Sequence, residues 1–374
     1  MDFKLSEQNK MIQTMARDFA DKEIEPIAEE IDLTSKIPAD MATKMGSVGL
    51  MAPTIPEAYG GPGLSFLDYI LIVEQLGYSN IAVETLMGIH SCMAEMIDIL
   101  GTEEQKKKYL PKCCTGEWLT SIMFTEPETG SDAKAITTTA VEKDGGFIVN
   151  GTKRFITLAQ FDGPGVLFAK DDSGRISTFI LEKNGPGYST EKPWKLMGVH
   201  GGLTVDVNLE DVKMGGDARL GEKAQGYRDL LQAISLSKTR LSARNVGAAQ
   251  AALDVSVQYA KERTAKGQPI AKLPSIQWLI AEMVTKLEAA RLMCYWAACL
   301  KDDGVDIIKH SAMTKLFVGK ATEDIADMGI QVHGAYGYCQ DYKIERLFRD
   351  IRLLRILEGT DEIQRAIAGG YALL

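Results

Sequence analysis

Thr137-Thr138-Thr139-Ala140-Val141-Glu142-Lys143-Asp144-Gly145-Gly146-Phe147-Ile148-Val149-Asn150 is the stretch that decides the fold. Runs rich in Thr, Val, Ile and Phe flank Asp144-Gly145-Gly146, and such runs on either side of a short Gly turn form a β-hairpin. The same character holds from Leu119 to about Leu220. Phe155-Ile156-Thr157, Gly165–Ala169, Ile176–Leu181 and Leu203–Val207 read as further strands broken by Gly and Asp. Several short strands at regular spacing predict a small antiparallel barrel or sandwich.

Outward from this block, both flanks are helical. Met11, Ile12, Met15, Phe19 and Ile24 recur at near-helical spacing, and apolar faces run over Leu67–Leu76 and Ala82–Leu100. Gly101-Thr102-Glu103-Glu104 ends the last of these and caps the next helix. Beyond Gly226 the helical period returns and holds almost to the end. Ala243, Gly247, Ala248, Ala249, Ala251 and Ala252 make one helix small enough for close contact with its neighbours. The expected class is α+β, mainly α. A helical domain over 1–120 precedes an antiparallel β-barrel domain over 121–226, and a four-helix bundle over 227–374 follows. Segregated α, β and α blocks are not a βαβ nucleotide fold. No G-x-G-x-x-G follows a strand and no phosphate-loop lysine motif occurs, which disfavours both dinucleotide and P-loop domains.

At 374 residues the chain needs two or three structural units. Its net charge of -9 argues against nucleic acid as the main partner, although a local Arg cluster can still bind phosphate. No apolar run reaches the ~20 residues of a membrane span. The polar start shows no signal or transit pattern, so the expectation is a cytoplasmic protein, or a mitochondrial matrix protein already processed. Six scattered Cys without C-x-x-C read as reduced thiols, and four His without metal spacing predict no metal site.

Five segments carry candidate chemistry. Arg355-Ile356-Leu357-Glu358-Gly359-Thr360-Asp361-Glu362-Ile363-Gln364-Arg365 places a carboxylate on a tight joint, with Thr360 as N-cap of the helix that follows. Glu358 there is either a surface residue of a helix connection or a general base beside free N–H groups. Phe124-Thr125-Glu126-Pro127-Glu128-Thr129-Gly130-Ser131-Asp132 is either a plain turn or a cradle of N–H groups for an anion or carbonyl. Asn150–Thr157 offers Phe155 and Thr157 to a flat ligand, or is a strand with a core Phe. Arg263 ends a helix before a Gly turn, as a C-cap cation or a pyrophosphate partner. Gln331-Val332-His333-Gly334-Ala335-Tyr336-Gly337-Tyr338 is a Gly-rich break that lets a ligand approach the backbone.

In this order and at these separations, the five segments resemble the acyl-CoA dehydrogenase family over essentially the whole chain. The carriers are T-E-P-x-x-G-S-D at Thr125–Asp132, N-G-x-K-x-F-I-T at Asn150–Thr157 and R-x-x-x-G-x-P-I from Arg263. Q-x-x-G-x-x-G-Y from Gln331 and E-G-T-x-E-I-Q-R from Glu358 complete the set. The resemblance implies noncovalent FAD, an acyl-CoA substrate, a homotetramer and electron transfer to an electron-transfer flavoprotein. It implies flavin contacts from Phe124, Thr125, Phe155 and Thr157, with Gly130 and Ser131 at the phosphate and thioester end. Arg263, Gln331 and Gly334 would hold the far half of FAD, partly across a subunit boundary, and Thr360 and Glu362 also match cofactor positions. Glu358 matches the catalytic base. Ser131, Ser237, Arg240 and Gly359 match substrate-binding positions.

The chain departs from the family in several places. Phe155 stands where Trp is common, Ser237 where Asp is, Lys266 for Phe, Pro274 for Gln and Ala335 for Gly. Some members carry the base in the residue before the Arg matched by Arg240. Here that residue is Thr239, which leaves Glu358. Glu84, at the place where glutaryl-specific relatives carry Arg, would repel a distal carboxylate, and His90 and Ser91 would add polarity to the same wall. A short, branched or cyclic acyl group is the resulting expectation. The alternatives are an enoyl-CoA reductase running the same site in reverse, and a flavin oxidase of a non-CoA substrate, whose known relatives tend to use Asp as base.

Overall fold

The computed structural model describes residues 4–373. Six helices precede the first strand: α1 (Glu7–Phe19), α2 (Ala28–Thr34), α3 (Met41–Ser47), α4 (Phe66–Ser79), α5 (Ile81–Leu100) and α6 (Glu103–Cys114). Short polar residues start the main ones. Ser6 and Thr102 form reciprocal capping boxes with Asn9 and Gln105. Ser65 accepts from the Asp68 N–H, and Asn80 accepts from those of Ala82 and Val83. Helices α4 and α5 are buried on nearly every side, so their apolar residues do not sort to one face.

The middle block holds β1 (Ser121–Met123), β2 (Thr139–Lys143), β3 (Gly146–Thr157), β4 (Pro164–Lys170), β5 (Ile176–Glu182), β6 (Tyr188–Thr190), β7 (Thr204–Met214) and β8 (Arg219–Leu220). The expected hairpin is β2–β3, in register from Thr139↔Asn150 to Lys143↔Gly146. Its turn is Asp144-Gly145, both at positive φ. The barrel expectation needs correcting. The strands form one open sheet in the order β6-β7-β3-β2-β4-β5-β8, with β1 parallel to β4. Its end strands β6 and β8 have three and two residues, too few to pair around a cylinder. The sheet is not purely antiparallel either, because β2 also meets β4 in parallel at Thr139↔Lys170.

The last block contains α7 (Gly226–Glu262), the two-residue strands β9 (Thr264–Ala265) and β10 (Gln268–Pro269), α8 (Pro274–Asp302), α9 (Ile308–His333), α10 (Lys343–Ile351) and α11 (Asp361–Leu373). Helix α7 packs on α4 with backbones nearly touching. A Cβ on Gly247 would lie 1.9 Å from the Glu74 carbonyl oxygen, and one on Gly77 2.4 Å from that of Arg244. The small-residue stripe therefore joins the first and last helical blocks in one apolar core. No described helix is long and apolar enough to cross a membrane.

Buried carboxylates sit inside this core. Glu95 on α5 accepts from Thr54 Oγ1 at 2.6 Å, while its second oxygen has no partner. Burial pushes its carboxyl up to about 7, against the Thr54 hydrogen bond. The folded state thus holds a proton that the unfolded chain releases above about 4.5, and stability falls as pH rises from there through about 7. Glu95→Gln is expected to raise stability at pH 8 by roughly 3 kcal/mol and to change little at pH 4. Urea midpoints at both values, at one protomer concentration, check this. An equal shift at both would assign the effect to packing.

Candidate active site

Glu358 stands at φ 51° and Gly359 at φ 89°, in the turn between α10 and α11. A left-handed backbone at a non-Gly residue costs about 1–3 kcal/mol and persists only where neighbours enforce it. They do so here. Lys315 Nζ and Gln364 Nε2 both donate to the Gly359 carbonyl, at 2.8 and 2.7 Å. Arg355 ties the turn at both ends, to Asp361 and to Glu323 on α9. The backbone N–H of Glu358 donates to no protein acceptor among the described residues.

The Glu358 carboxylate is held unevenly. Ser237 Oγ on α7 donates to Oε1 at 2.7 Å, and Oε2 is buried with no partner. Ser237 in turn accepts from Arg240 Nη2 at 3.2 Å, and Arg240 Nη1 donates to Glu84 Oε1 on α5 at 2.7 Å. One oxygen is anchored and the other has no hydrogen-bond partner. Lys238 and Lys315 complete the surroundings. Burial lowers each ammonium to about 8 although the Glu358 charge favours the protonated form.

A second group of residues forms a shallow aromatic surface on the sheet. In β3 two residues, Arg154 and Phe155, stand opposite one partner, Asp206, between Lys153↔Val207 and Ile156↔Val205. Such a bulge re-aims a side chain. Phe155, at φ 57°, is 52% exposed rather than in the core, and stands 5.3 Å from the ring of Trp194, itself 44% exposed. Asp206 fixes all three neighbours: it accepts from Arg154 Nε, the Phe155 N–H and Trp194 Nε1. Thr157 Oγ1 lies on the same strand, 3.2 Å from Thr204 Oγ1.

The Thr125 segment is tied to this bulge. The Arg154 N–H donates to the Thr125 carbonyl at 2.7 Å. Fully buried Lys153 donates to the carbonyls of Phe124 and Phe168 and to Glu126 Oε1. Glu126 also accepts from the Thr137 and Thr138 N–H groups and the Thr137 hydroxyl. Burial would raise the Glu126 carboxyl, but Lys153 and these donors outweigh it and hold it at about 2. For Lys153 burial wins over Glu126, and the ammonium falls to about 8. Gly130 and Ser131 are exposed beside this segment, and nothing lies within 4 Å of a Cβ built on Gly130.

A third group is remote from Glu358. Arg263, Gln331 and Gly334 are exposed at the far ends of α7 and α9, where Arg263 lies 5.7 Å from the Tyr336 ring. Arg263 is 26 residues beyond Ser237, about 39 Å along the helix axis. One protomer does not bring these residues to Glu358. Thr360 and Glu362 follow the base directly, with Glu362 exposed at the start of α11.

Three sequence-based assignments change. His90 does not line a pocket: it is fully buried, with Nε2 2.9 Å from the Cys113 carbonyl and Nδ1 accepting from the Thr120 N–H. Ser91 Oγ donates to the Met51 carbonyl. Glu84 is no free repelling charge, because it is fully buried and paired with Arg240 and Arg244. Thr239 is buried with its hydroxyl on the Ser235 carbonyl, so the other seat for a base is filled by helix packing. Lys153, Glu126, Arg244 and Lys315 were not singled out from sequence. Glu126 and Lys153 were visible as letters of two quoted motifs, and Arg244 by its i, i+4 spacing from Arg240.

Comparison with known proteins identifies the family. The N-terminal, middle and C-terminal domain models of acyl-CoA dehydrogenase match residues 6–117, 121–212 and 224–371. The chain belongs to the acyl-CoA dehydrogenase family. It is 40% identical to a 3-(aryl)acrylate reductase of Clostridium sporogenes, over 98% of this chain and 99% of that one. It is 37% identical to the caffeyl-CoA reductase-Etf complex subunit CarC of Acetobacterium woodii, over 98% and 99%. Butyryl-CoA dehydrogenase from Megasphaera elsdenii superposes with a TM-score of 0.97 at 32% identity, covering both chains in full. As a family member this chain is an oxidoreductase of CH–CH bonds and a flavoprotein that binds FAD. Its residues fit the cofactor: an exposed aromatic face, flanking Thr hydroxyls and an open Gly130 suit a flat ring with polar edges.

Proposed function

We propose that the chain interconverts an acyl-CoA thioester and its α,β-unsaturated counterpart, with Glu358 exchanging the α-proton. The anchored Oε1 and open Oε2 of Glu358 carry this reading. Ser237 fixes the carboxylate, so the open oxygen is presented in one orientation. The free Glu358 N–H can donate to the thioester carbonyl as negative charge develops there, a contribution of roughly 3–4 kcal/mol per donor. Bound FAD supplies the hydride acceptor or donor for the β-carbon. Phe124, Thr125, Phe155 and Thr157 would hold the ring, with Gly130 and Ser131 toward the phosphate and thioester. Ser131, Ser237, Arg240 and Gly359 remain the assigned substrate-side positions, although Arg240 acts there through Ser237 rather than from an exposed surface.

The reading extends to direction and partner: relatives named as a 3-(aryl)acrylate reductase and as a caffeyl-CoA reductase-Etf complex subunit support reduction of an enoyl-CoA with an electron-transfer flavoprotein as redox partner. Anaerobic titration tests both directions. A saturated acyl-CoA should bleach the oxidised enzyme, and an enoyl-CoA should restore colour to the reduced one. A protein that responds to neither, with FAD bound, overturns the assignment. The acyl group is proposed to be short, branched or cyclic, and palmitoyl-CoA as best substrate would exclude that.

Removing the Ser237 hydroxyl should matter less than removing the base. Ser237→Ala is expected to lower kcat about tenfold with KM nearly unchanged, the worth of one hydrogen bond to a charged group. Single-turnover rates measure it, and an effect on KM alone would show that Ser237 serves substrate binding and does not position the base.

The remote Arg263, Gln331 and Gly334 are proposed to hold FAD bound mainly to a neighbouring subunit. Exposed Trp278, Val284, Leu292 and Phe317 on α8 and α9 offer an apolar face for that assembly. Light scattering on the purified flavoprotein should give four protomers, and a monomer that retains FAD would refute the shared site.

A further inference from the structure

We infer that Asp350 and Arg349 are positioning residues of the flavin face: from the helix that leads to Glu358 they seat the loop that carries Trp194. The inference rests on the acyl-CoA reading above and concerns how its two halves, the aromatic face and the base, are held in register. The loop is residues 191–203, between β6 and β7. Trp194 near its start completes the aromatic face with Phe155. Its indole and backbone N–H groups donate to Asp206 Oδ1 and to the Thr204 carbonyl.

The rest of the loop leaves the sheet and enters the helices. Val199 is buried in the apolar core that holds Ile31 of α2 and Ile351 of α10, and not in the core of the sheet. Its backbone stands at φ 55°, and that of Leu203 at φ 43°. A β-branched residue keeps that conformation only where its neighbours enforce it. Here the neighbour is α10. Asp350 Oδ1 accepts from the Val199 N–H, and Arg349 Nη1 donates to the Met197 carbonyl at 3.2 Å. Gly198 between them meets the helix backbone directly. A Cβ on it would lie 2.7 Å from both the Arg349 carbonyl carbon and Asp350 Oδ1.

Arg349 ties this contact to the first helical block as well. Nη1 and Nη2 donate to the Asp32 carboxylate of α2 at 3.2 and 2.7 Å, and Nε and Nη2 donate to Glu345 one turn back. His200 Nδ1 lies 2.9 Å from the same Asp32 carboxylate, and Nε2 lies 3.1 Å from the Leu196 carbonyl. All three blocks therefore meet at this loop. Beyond Asp350 the chain runs through the Arg352–Arg355 turn into Glu358. One helix thus carries the base turn at its end and the loop of the aromatic face on its side. Sliding of the loop along α10 changes the gap between face and base, and a misplacement of about 1 Å can cost about 10²-fold in rate.

The test compares Asp350→Ala and Asp350→Asn with the wild type as FAD-loaded full-length proteins. Burial pushes the Asp350 carboxyl up to about 6, so a neutral side chain suits the site, and Asn keeps an acceptor for the Val199 N–H where Ala has none. With butyryl-CoA and 3-phenylpropanoyl-CoA as probes, Asp350→Ala should lower the limiting rate of anaerobic bleaching at least about tenfold, with Kd for the thioester within about twofold. Asp350→Asn should restore the rate. Stacking on an aromatic ring quenches flavin emission, so emission per bound flavin reads the face without turnover. It should rise at least about twofold in Asp350→Ala and stay at the wild-type level in Asp350→Asn. Gly198→Ala pushes the loop off α10 from the other side and should reproduce the Ala result, which decides the matter even if Asp350→Ala fails to fold. Wild-type rate and emission in Asp350→Ala or Gly198→Ala would overturn the inference. Equal losses in Asp350→Ala and Asp350→Asn would also overturn it, by assigning the effect to the buried charge. A wild-type protein that neither thioester bleaches would count against the acyl-CoA reading, while the emission ratios still decide the positioning.

Discussion

Glu358→Gln should leave a folded, yellow protein whose bleaching by any acyl-CoA is slowed by at least about 10³-fold. A positioned general base is worth about 10²–10⁴ in rate. The substitution is nearly isosteric. Ser237 can still donate to the amide oxygen, and the strained turn is held through the Gly359 carbonyl by Lys315 and Gln364, not through the carboxylate. Flavin content should therefore match the wild type. The charge change has its own signature. The Glu358 anion favours the protonated forms of Lys238 and Lys315, so both ammonium groups should titrate lower in the variant. Stopped-flow absorbance with a saturated acyl-CoA measures the rate, and flavin content excludes misfolding. Bleaching at the wild-type rate in a flavin-replete variant would place the base elsewhere.

The parts of this site that were legible in the sequence are the local ones. The hairpin at Asp144-Gly145 is written in its turn residues, and the α6 start in the Thr102–Gln105 box. Glu358 was visible as a carboxylate before a helix, but not as a base. Only company with four other segments distinguished it from a surface residue. What sequence could not show is which polar residues are already satisfied. His90 and Ser91 share a helix with Glu84, and nothing in their spacing reveals that Cys113, Thr120 and Met51 consume their hydrogen bonds. Glu84 read as a repelling charge because its neutralising arginines lie about 160 residues away on α7. Sheet closure was equally hidden, since strand count does not tell whether two short edge strands meet. Lys153 illustrates the same limit within a recognised motif. It looked like one charge in a polar strand, and it is the buried link between two motifs.

Lys153→Met should cost about 3–5 kcal/mol of stability, the usual loss when one member of a buried ion pair is removed, and should also release flavin. The ammonium has three acceptors, and each consequence follows from losing one. The Phe124 and Phe168 carbonyls lose a buried donor, and Glu126 loses its counter-charge. Among the described residues the Arg154 N–H is then the one hydrogen bond from β3 to the Phe124–Thr125 segment, so the aromatic bulge and the Thr125 backbone can shift more independently. The pH dependence separates the charge from the packing. In the wild type the Glu126 carboxyl is depressed to about 2, so its contribution is fully present above its ordinary value of 4.5 and is lost as pH falls toward about 2. Without Lys153, burial is opposed by the Thr137 and Thr138 donors. The carboxyl should rise, and acid unfolding should begin at higher pH. Adding Glu126→Gln to Lys153→Met removes the uncompensated charge and should recover part of the stability while flavin stays weakly bound, because the tether to Phe124 is still missing. Urea midpoints between pH 4 and pH 8 and the flavin content of gel-filtered protein measure the two effects. Wild-type flavin retention in Lys153→Met would show that the Thr125 segment holds its place without this lysine, and would leave the ion pair as ballast of the sheet rather than the support of the cofactor face.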